Sequence, residues 1–230
     1  MIKKIQLLTA MSVSVLLSAC GGGGDVGSAG PVSPITPTLS FSTTTLKNLR
    51  QVATSSTFSI SGNCSGTGTE NSGTPYATNL YGATYGKTSV TILNYTNCTG
   101  SGASTSNKFY DNNFSTIAIL GSDGKFTEGT VINSIPATVK VGDTLTLANL
   151  RMYTNSSKMN QIQTGVQSIV IEADTTQSAI LNIVTQVYDS NNRLLQTGQF
   201  RYRLFANGQV QELNLKTDLP SGQSETWTYN

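Results

Sequence analysis

Short runs of β-branched and aromatic residues, each closed off by Gly, Asn, Asp, Ser or Pro, recur along the chain from Leu39 to its end. That alternation constrains the fold more than any other feature. Runs of this length build extended strands, and turn residues at short intervals reverse them into antiparallel hairpins. Roughly a third of the residues are Ser, Thr or Asn, a usage far from the Ala, Leu, Glu and Lys of helical proteins. A helical bundle or coiled coil is excluded. The length of 230 residues suits one folded domain.

Strands are expected at 57–61, 88–95 and 116–120 in the first half, and at 137–141, 144–153, 166–173, 179–188, 194–205 and 210–217 in the second. The stretches 62–75 and 99–107 are mostly Ser, Gly, Thr and Asn and read as surface loops. Leu46, Leu49 and Val52 stand at helical spacing, enough for one short helix. Asn207-Gly208 predicts a hairpin with a type I′ turn, and Gly198 marks a bulge. In 179–188 one face carries Ala179, Leu181, Ile183 and Val187, while Ile180, Val184 and Tyr188 share the other with Asn182 and Gln186. Such a strand is covered on both sides, or its second face lines a partly polar cavity. In the next strand Phe200, Tyr202 and Leu204 alternate with Gln199, Arg201 and Arg203, facing in and out. The fold class is all-β: an antiparallel meander that covers its apolar face as a β-sandwich or a curved open barrel.

The N-terminus is of another kind. Lys3 and Lys4 precede an apolar stretch that ends at Leu17, the layout of a secretory signal and shorter than the ~20 apolar residues that span a bilayer. Leu17-Ser18-Ala19-Cys20 resembles the lipobox of bacterial lipoproteins. The resemblance implies that the Cys20 thiol receives a diacylglyceryl group and that removal of residues 1–19 leaves Cys20 as the new N-terminus. In such lipoproteins of Gram-negative bacteria a residue other than Asp after the cysteine goes with export to the outer membrane, and Gly21 implies that destination. Each buried methylene contributes about 0.8 kcal/mol, so two or three acyl chains hold firmly. Residues 20–38, rich in Gly, Ser and Pro, read as a disordered, lipidated tether, and 39–230 as a single β domain. In layout the chain resembles the β-rich envelope lipoproteins of Gram-negative bacteria.

With Cys20 assigned to lipid, Cys64 and Cys98 remain. Outside the cytoplasm they are expected to pair as a disulfide. Loss of Lys3 and Lys4 leaves basic and acidic residues equal at 12 each. A neutral chain with scattered signs offers no electrostatic footprint for nucleic acid or for anionic lipid headgroups. Histidine is absent, which removes the usual general base and the commonest metal ligand, and no metal or cofactor is expected.

Glu172 and Asp174, two apart in a strand, would share a face as a glycosidase pair must, yet Asp174 leads into a turn and reads as solvated. Gly121-Ser122-Asp123-Gly124 lacks the spacing of a nucleophile elbow and reads as a hairpin turn. Tyr76, Tyr81, Tyr85 and Tyr95 crowd the region around the cysteines and form a candidate recognition surface for a sugar or a protein, although tyrosine is also an ordinary strand residue. Arg201 and Arg203 could grip an anion or form a solvated face, and Trp227 is expected to pack as a closing aromatic.

Three functions follow as expectations. The first is a non-enzymatic lipoprotein, attached to the membrane through its N-terminal lipid, that binds a protein or glycan or serves envelope structure. The second is a carrier holding a lipid or other apolar ligand in a β cavity. The third, a polysaccharide-active enzyme, needs paired carboxylates in a cleft. A lined hollow favours the carrier, and a solid interior favours surface recognition.

Overall fold

The structure, a computed structural model, describes residues 39–230; the expected signal segment 1–19, Cys20 and the expected tether 20–38 lie outside the described residues. The chain enters with β1 (Ser40–Ser42) and one helix, α1 (Thr44–Gln51), followed by β2 (Thr54–Gly62), β3 (Gly66–Ser72) and the short β4 (Tyr76–Ala77). A 3-10 turn at Leu80–Gly82 leads to β5 (Tyr85–Tyr95), β6 (Gly102–Tyr110), β7 (Thr116–Gly121) and β8 (Phe126–Val131). Next come β9 (Thr138–Lys140), β10 (Thr144–Tyr153), β11 (Gln161–Thr175) and β12 (Ser178–Tyr188). The chain ends with β13 (Leu194–Phe205), β14 (Val210–Asp218) and β15 (Ser224–Tyr229).

Twelve of these strands form a closed antiparallel barrel. The meander runs from β10 through β15, β15 pairs with β2, and β2 pairs with β3. On the other side β10 pairs with β8, which continues through β7 and β6 to β5. Closure comes where β3 meets β5, with Gly66 opposite Tyr95 and Ser72 opposite Ser89. The antiparallel all-β fold expected from the sequence is the one the chain adopts, and its barrel is sealed around the full circumference.

Two strands, β3 and β6, occupy the stretches expected to be surface loops. Their residues carry little apolar surface, and extended structure there rests on ladder hydrogen bonds to a neighbour on each side. Gly68 is required for close packing, because a Cβ on its inner side would run into the Phe58 ring. Gly198 sits in regular register with Thr185 and Thr217, and the bulges fall instead between Val187 and Tyr188 and between Arg201 and Tyr202.

The 206–208 hairpin forms, but of its two central residues only Gly208 takes a positive φ, 83°. Phe205 N–H donates to Gln209 O at 3.0 Å and Gly208 N–H to Phe205 O at 2.9 Å, a type I turn closed by a left-handed residue rather than type I′. The same pattern, with Phe114, Gly124, Asn192 or Gly222 as the left-handed residue, turns four further hairpins.

Over β2, β3 and β15 the outer face is polar. Thr57, Ser59 and Ser61 on β2, Thr67 and Asn71 on β3, and Thr226 and Thr228 on β15 alternate with inward residues. A membrane-spanning barrel needs an apolar outer band about 25 Å tall, and these strands do not supply it. The second face of β12 is also an outer one. Asn182 there donates to Glu172 at 2.8 Å and Gln199 at 3.0 Å, and Ile180 and Val184 lie buried beneath these long neighbours.

Cys64 and Cys98 form the expected disulfide, joining the β2–β3 and β5–β6 connections at one end of the barrel. The described core clusters are built from residues of 39–230. Replacing both cysteines with alanine is expected to lower the unfolding free energy of this stretch by about 3 to 4 kcal/mol, the chain-entropy value for such a loop, measured by urea unfolding under oxidising conditions.

Candidate binding chamber

Antiparallel partners point to the same side of a sheet, so the register fixes the inner wall. Ile183, Phe200, Leu215, Trp227 and Ile60 follow one another around it as successive partners. One layer nearer α1, Leu181, Tyr202 and Glu212 are partners, and across the barrel so are Ser56, Glu70, Thr91 and Ser104. Lys87 and Lys108 form a further inward pair. The wall is apolar where β10 to β13 pass under β1, α1 and β9, with Phe41, Leu46, Val139, Ile171 and Leu181 in one cluster.

A polar layer lies on the opposite side. Lys108 Nζ stands 3.4 Å from Glu70 Oε1, and these two side chains keep 33% and 24% of their surface. An inward side chain in a filled barrel would keep almost none. The space beneath α1 is therefore not filled at this pair. An eight-stranded barrel has an interior just wide enough for its side chains, and diameter grows with strand number, so a ring of twelve is wider. Phe200, Tyr202 and Tyr229 face the same space half-buried, with ring centroids 4.8 Å apart for Phe200 and Tyr202 and 5.7 Å for Phe200 and Tyr229. The Tyr229 hydroxyl is buried with no hydrogen-bond partner among the described residues.

Burial sets the protonation of this layer. It pushes the Glu212 carboxyl above the usual range, against a hydrogen bond donated by Ser56 at 3.2 Å. Burial also raises Tyr202 and Tyr229, whose hydroxyls stay protonated. Burial lowers Lys87, helped by the charge of Lys108. For Lys108, burial is outweighed by the Glu70 carboxylate, which holds the ammonium above its ordinary value.

Helix α1 lies across the mouth opposite the disulfide. Thr45 donates to Gly208 O at 2.6 Å, Arg50 to Phe114 O at 2.7 Å, and Thr43 N–H to Ala137 O at 3.0 Å, so three separate rim segments hold it. From inside the barrel, Lys87 donates to Leu49 O at 3.3 Å and Val52 O at 2.7 Å. A cation there meets unpaired carbonyls at the negative end of the helix dipole. Phe114 is fixed in turn by stacking on Tyr85, 4.7 Å between centroids, although its φ of 58° is costly for a non-glycine residue.

The four candidate tyrosines occupy different places. Tyr76 covers Gly86 on the outer wall, and Tyr81 packs outside on Phe109 and Phe126. Tyr85 stacks on Phe114 at the plugged mouth. Tyr95 faces inward and donates to Glu225 at 3.1 Å, and the same carboxylate oxygen accepts from Trp227 Nε1 at 2.6 Å. Trp227 stacks on Phe58 at 4.6 Å, a packed aromatic as expected.

Glu172 and Asp174 stand on the outer wall, each engaged by an arginine: Arg201 at 2.5 Å from Glu172 and Arg203 at 2.7 Å from Asp174. The possible dyad and the possible anion grip therefore neutralise each other. Glu70, Lys87, Lys108 and Glu212 escaped the sequence reading. A strand assignment for 66–72 would have placed Gly66, Gly68 and Glu70 on one face, which was the available signal.

No family model matches the chain, and no curated protein matches it. Among solved structures, a DUF1329 family protein from Desulfovibrio piger ATCC 29098 is similar over 81% of this chain and 88% of its own, at 10% identity and a TM-score of 0.33. At that level the reading of the chamber rests on this chain's own residues.

Because the Glu212 pKa is raised on folding, its ionisation opposes the folded state above that pKa, and the cost vanishes once both states are protonated. Glu212→Gln is expected to melt higher than the wild type at pH 7, with the difference closing as pH falls toward ~4. Thermal unfolding across that range checks this. Lys87→Met leaves the Leu49 and Val52 carbonyls without their donor, at a cost of about 1–3 kcal/mol, and hydrogen exchange of the α1 amides is expected to accelerate.

Proposed function

We propose that this chain is a lipid-anchored protein of the bacterial envelope whose barrel acts by holding a small ligand, without a reaction of its own. The observation that carries this reading is the accessible surface kept by the inward pair Glu70 and Lys108 beneath α1. Of the two non-enzymatic expectations, a lined hollow favours the carrier. The charged layer narrows the passenger to an amphipathic one, with a hydrogen-bonding end toward Glu70, Lys108 and Glu212 and an apolar part against Phe200, Tyr202 and Tyr229. The anchor rests on Leu17-Ser18-Ala19-Cys20 and its resemblance to the lipobox. The Cys64–Cys98 disulfide fits the oxidising space outside the inner membrane.

Mass spectrometry of protein from its native host tests both parts. Intact mass is expected to show a chain beginning at a diacylated Cys20, and native spectra an adduct at one equivalent. A chain beginning at Met1 with an unmodified thiol contradicts the anchor. A barrel without an adduct in every gentle preparation contradicts the container.

A further inference from the structure

Helix α1 does not fill its mouth evenly. A cleft of about 270 Å³ runs between the helix and the two rim segments 113–115 and 135–137. Lys47 and Arg50, three apart and so on one side of the helix, both line it. Neither belongs to an ion pair among the described residues, and Arg50 makes its one described hydrogen bond to the Phe114 carbonyl. Among the described residues no carboxylate lines the cleft. Asp111, nearby in sequence, turns its carboxylate to the amides of Asn113 and Ser115 in its own turn, at 2.8 Å each. Two uncompensated cations thus stand beside the apolar Phe114 and Ile135, with the Thr44 hydroxyl as a further donor group at the edge.

A guanidinium fork, a lysine point charge and a hydroxyl suit the several acceptor oxygens of a phosphate better than the two of a carboxylate. The apolar side suits the glycerol and first acyl carbons next to it. The segment bearing Cys20 joins the barrel at β1, immediately before α1, so the cleft lies at the end where the tether leaves. We propose that the Lys47–Arg50 cleft takes the phosphate headgroup of an anionic membrane phospholipid, which sets the plugged mouth toward the bilayer and the disulfide end away from it. Only that orientation rests on the lipid anchor proposed above; the binding itself does not.

The test uses residues 39–230, which hold the whole described fold, so the state of Cys20 has no part in it and failure of one proposal is distinct from failure of the other. Dihexanoyl-phosphatidylglycerol, kept below its micelle concentration, is titrated against the protein while the amide resonances of 113–115 are followed by NMR. Saturable shifts are expected. Lys47→Glu is expected to weaken binding about fivefold or more while leaving the melting temperature unchanged, since Lys47 is exposed and unpaired. Lys47→Arg should retain the affinity. Absence of saturable shifts, or equal affinity in Lys47→Glu, overturns the site. Inorganic phosphate binding as tightly as the short-chain lipid overturns its assignment to a phospholipid.

Discussion

Everything else in this molecule depends on the pairing of β3 with β5. Twelve strands of an open sheet would leave two edges, each a row of unpaired amides and carbonyls ready to recruit another chain. Seven residue pairs, from Gly66–Tyr95 to Ser72–Ser89, remove both. The strand that closes the ring is among the least hydrophobic in the protein, with the sequence Gly-Thr-Gly-Thr-Glu-Asn-Ser. Its value lies in small inward residues. Gly68 leaves the space that the Phe58 ring fills, and Phe58 in turn stacks on the sole tryptophan.

A ring of this circumference has a consequence inside. The apolar residues gather in two clusters, one under the plug along β10 to β13 and one around Phe58, Ile60, Leu215 and Trp227, while Ser56, Glu70, Thr91, Ser104, Lys87 and Lys108 make a polar stretch of wall. Ion pairs taken out of water contribute little stability, and an apolar filling would serve the fold as well. A polar arc is instead what the proposed ligand, with its hydrogen-bonding end, would require. The two lysines are tolerated for different reasons, Lys108 through the carboxylate of Glu70 and Lys87 through the helix carbonyls that it caps. Lys87 thereby ties the inner wall to the plug, and the plug is continuous with the segment that leads back to Cys20.

Much of the strand pattern was legible. The expected segment 144–153 coincides with β10 and 194–205 with β13, because both alternate cleanly and end at marked turns. The pairing of Cys64 with Cys98 was likewise legible, as the two cysteines left once Cys20 is set aside. Legibility failed where the physical signal is not apolar: β3 and β6 are held by pairing on both sides, and that information lies in distant strands. The chamber was hidden for the same reason. Glu70 fell in a stretch read as a loop, Lys108 just beyond another, and Lys87 one residue ahead of an expected strand. In Ala179 to Tyr188 the mixed face suggested a cavity, but it is the outer one, covered by Arg201, Glu172 and their neighbours.

The central claim is that the barrel interior beneath α1 is open space. Thr91 points into it between Glu70 and Ser104, and Thr91→Phe would send a benzyl group inward. Urea unfolding measures the result directly. An open chamber predicts a free energy within about 0.5 kcal/mol of the wild type, whereas a filled interior predicts a loss of about 1–3 kcal/mol from overpacking. The second result would contradict the account.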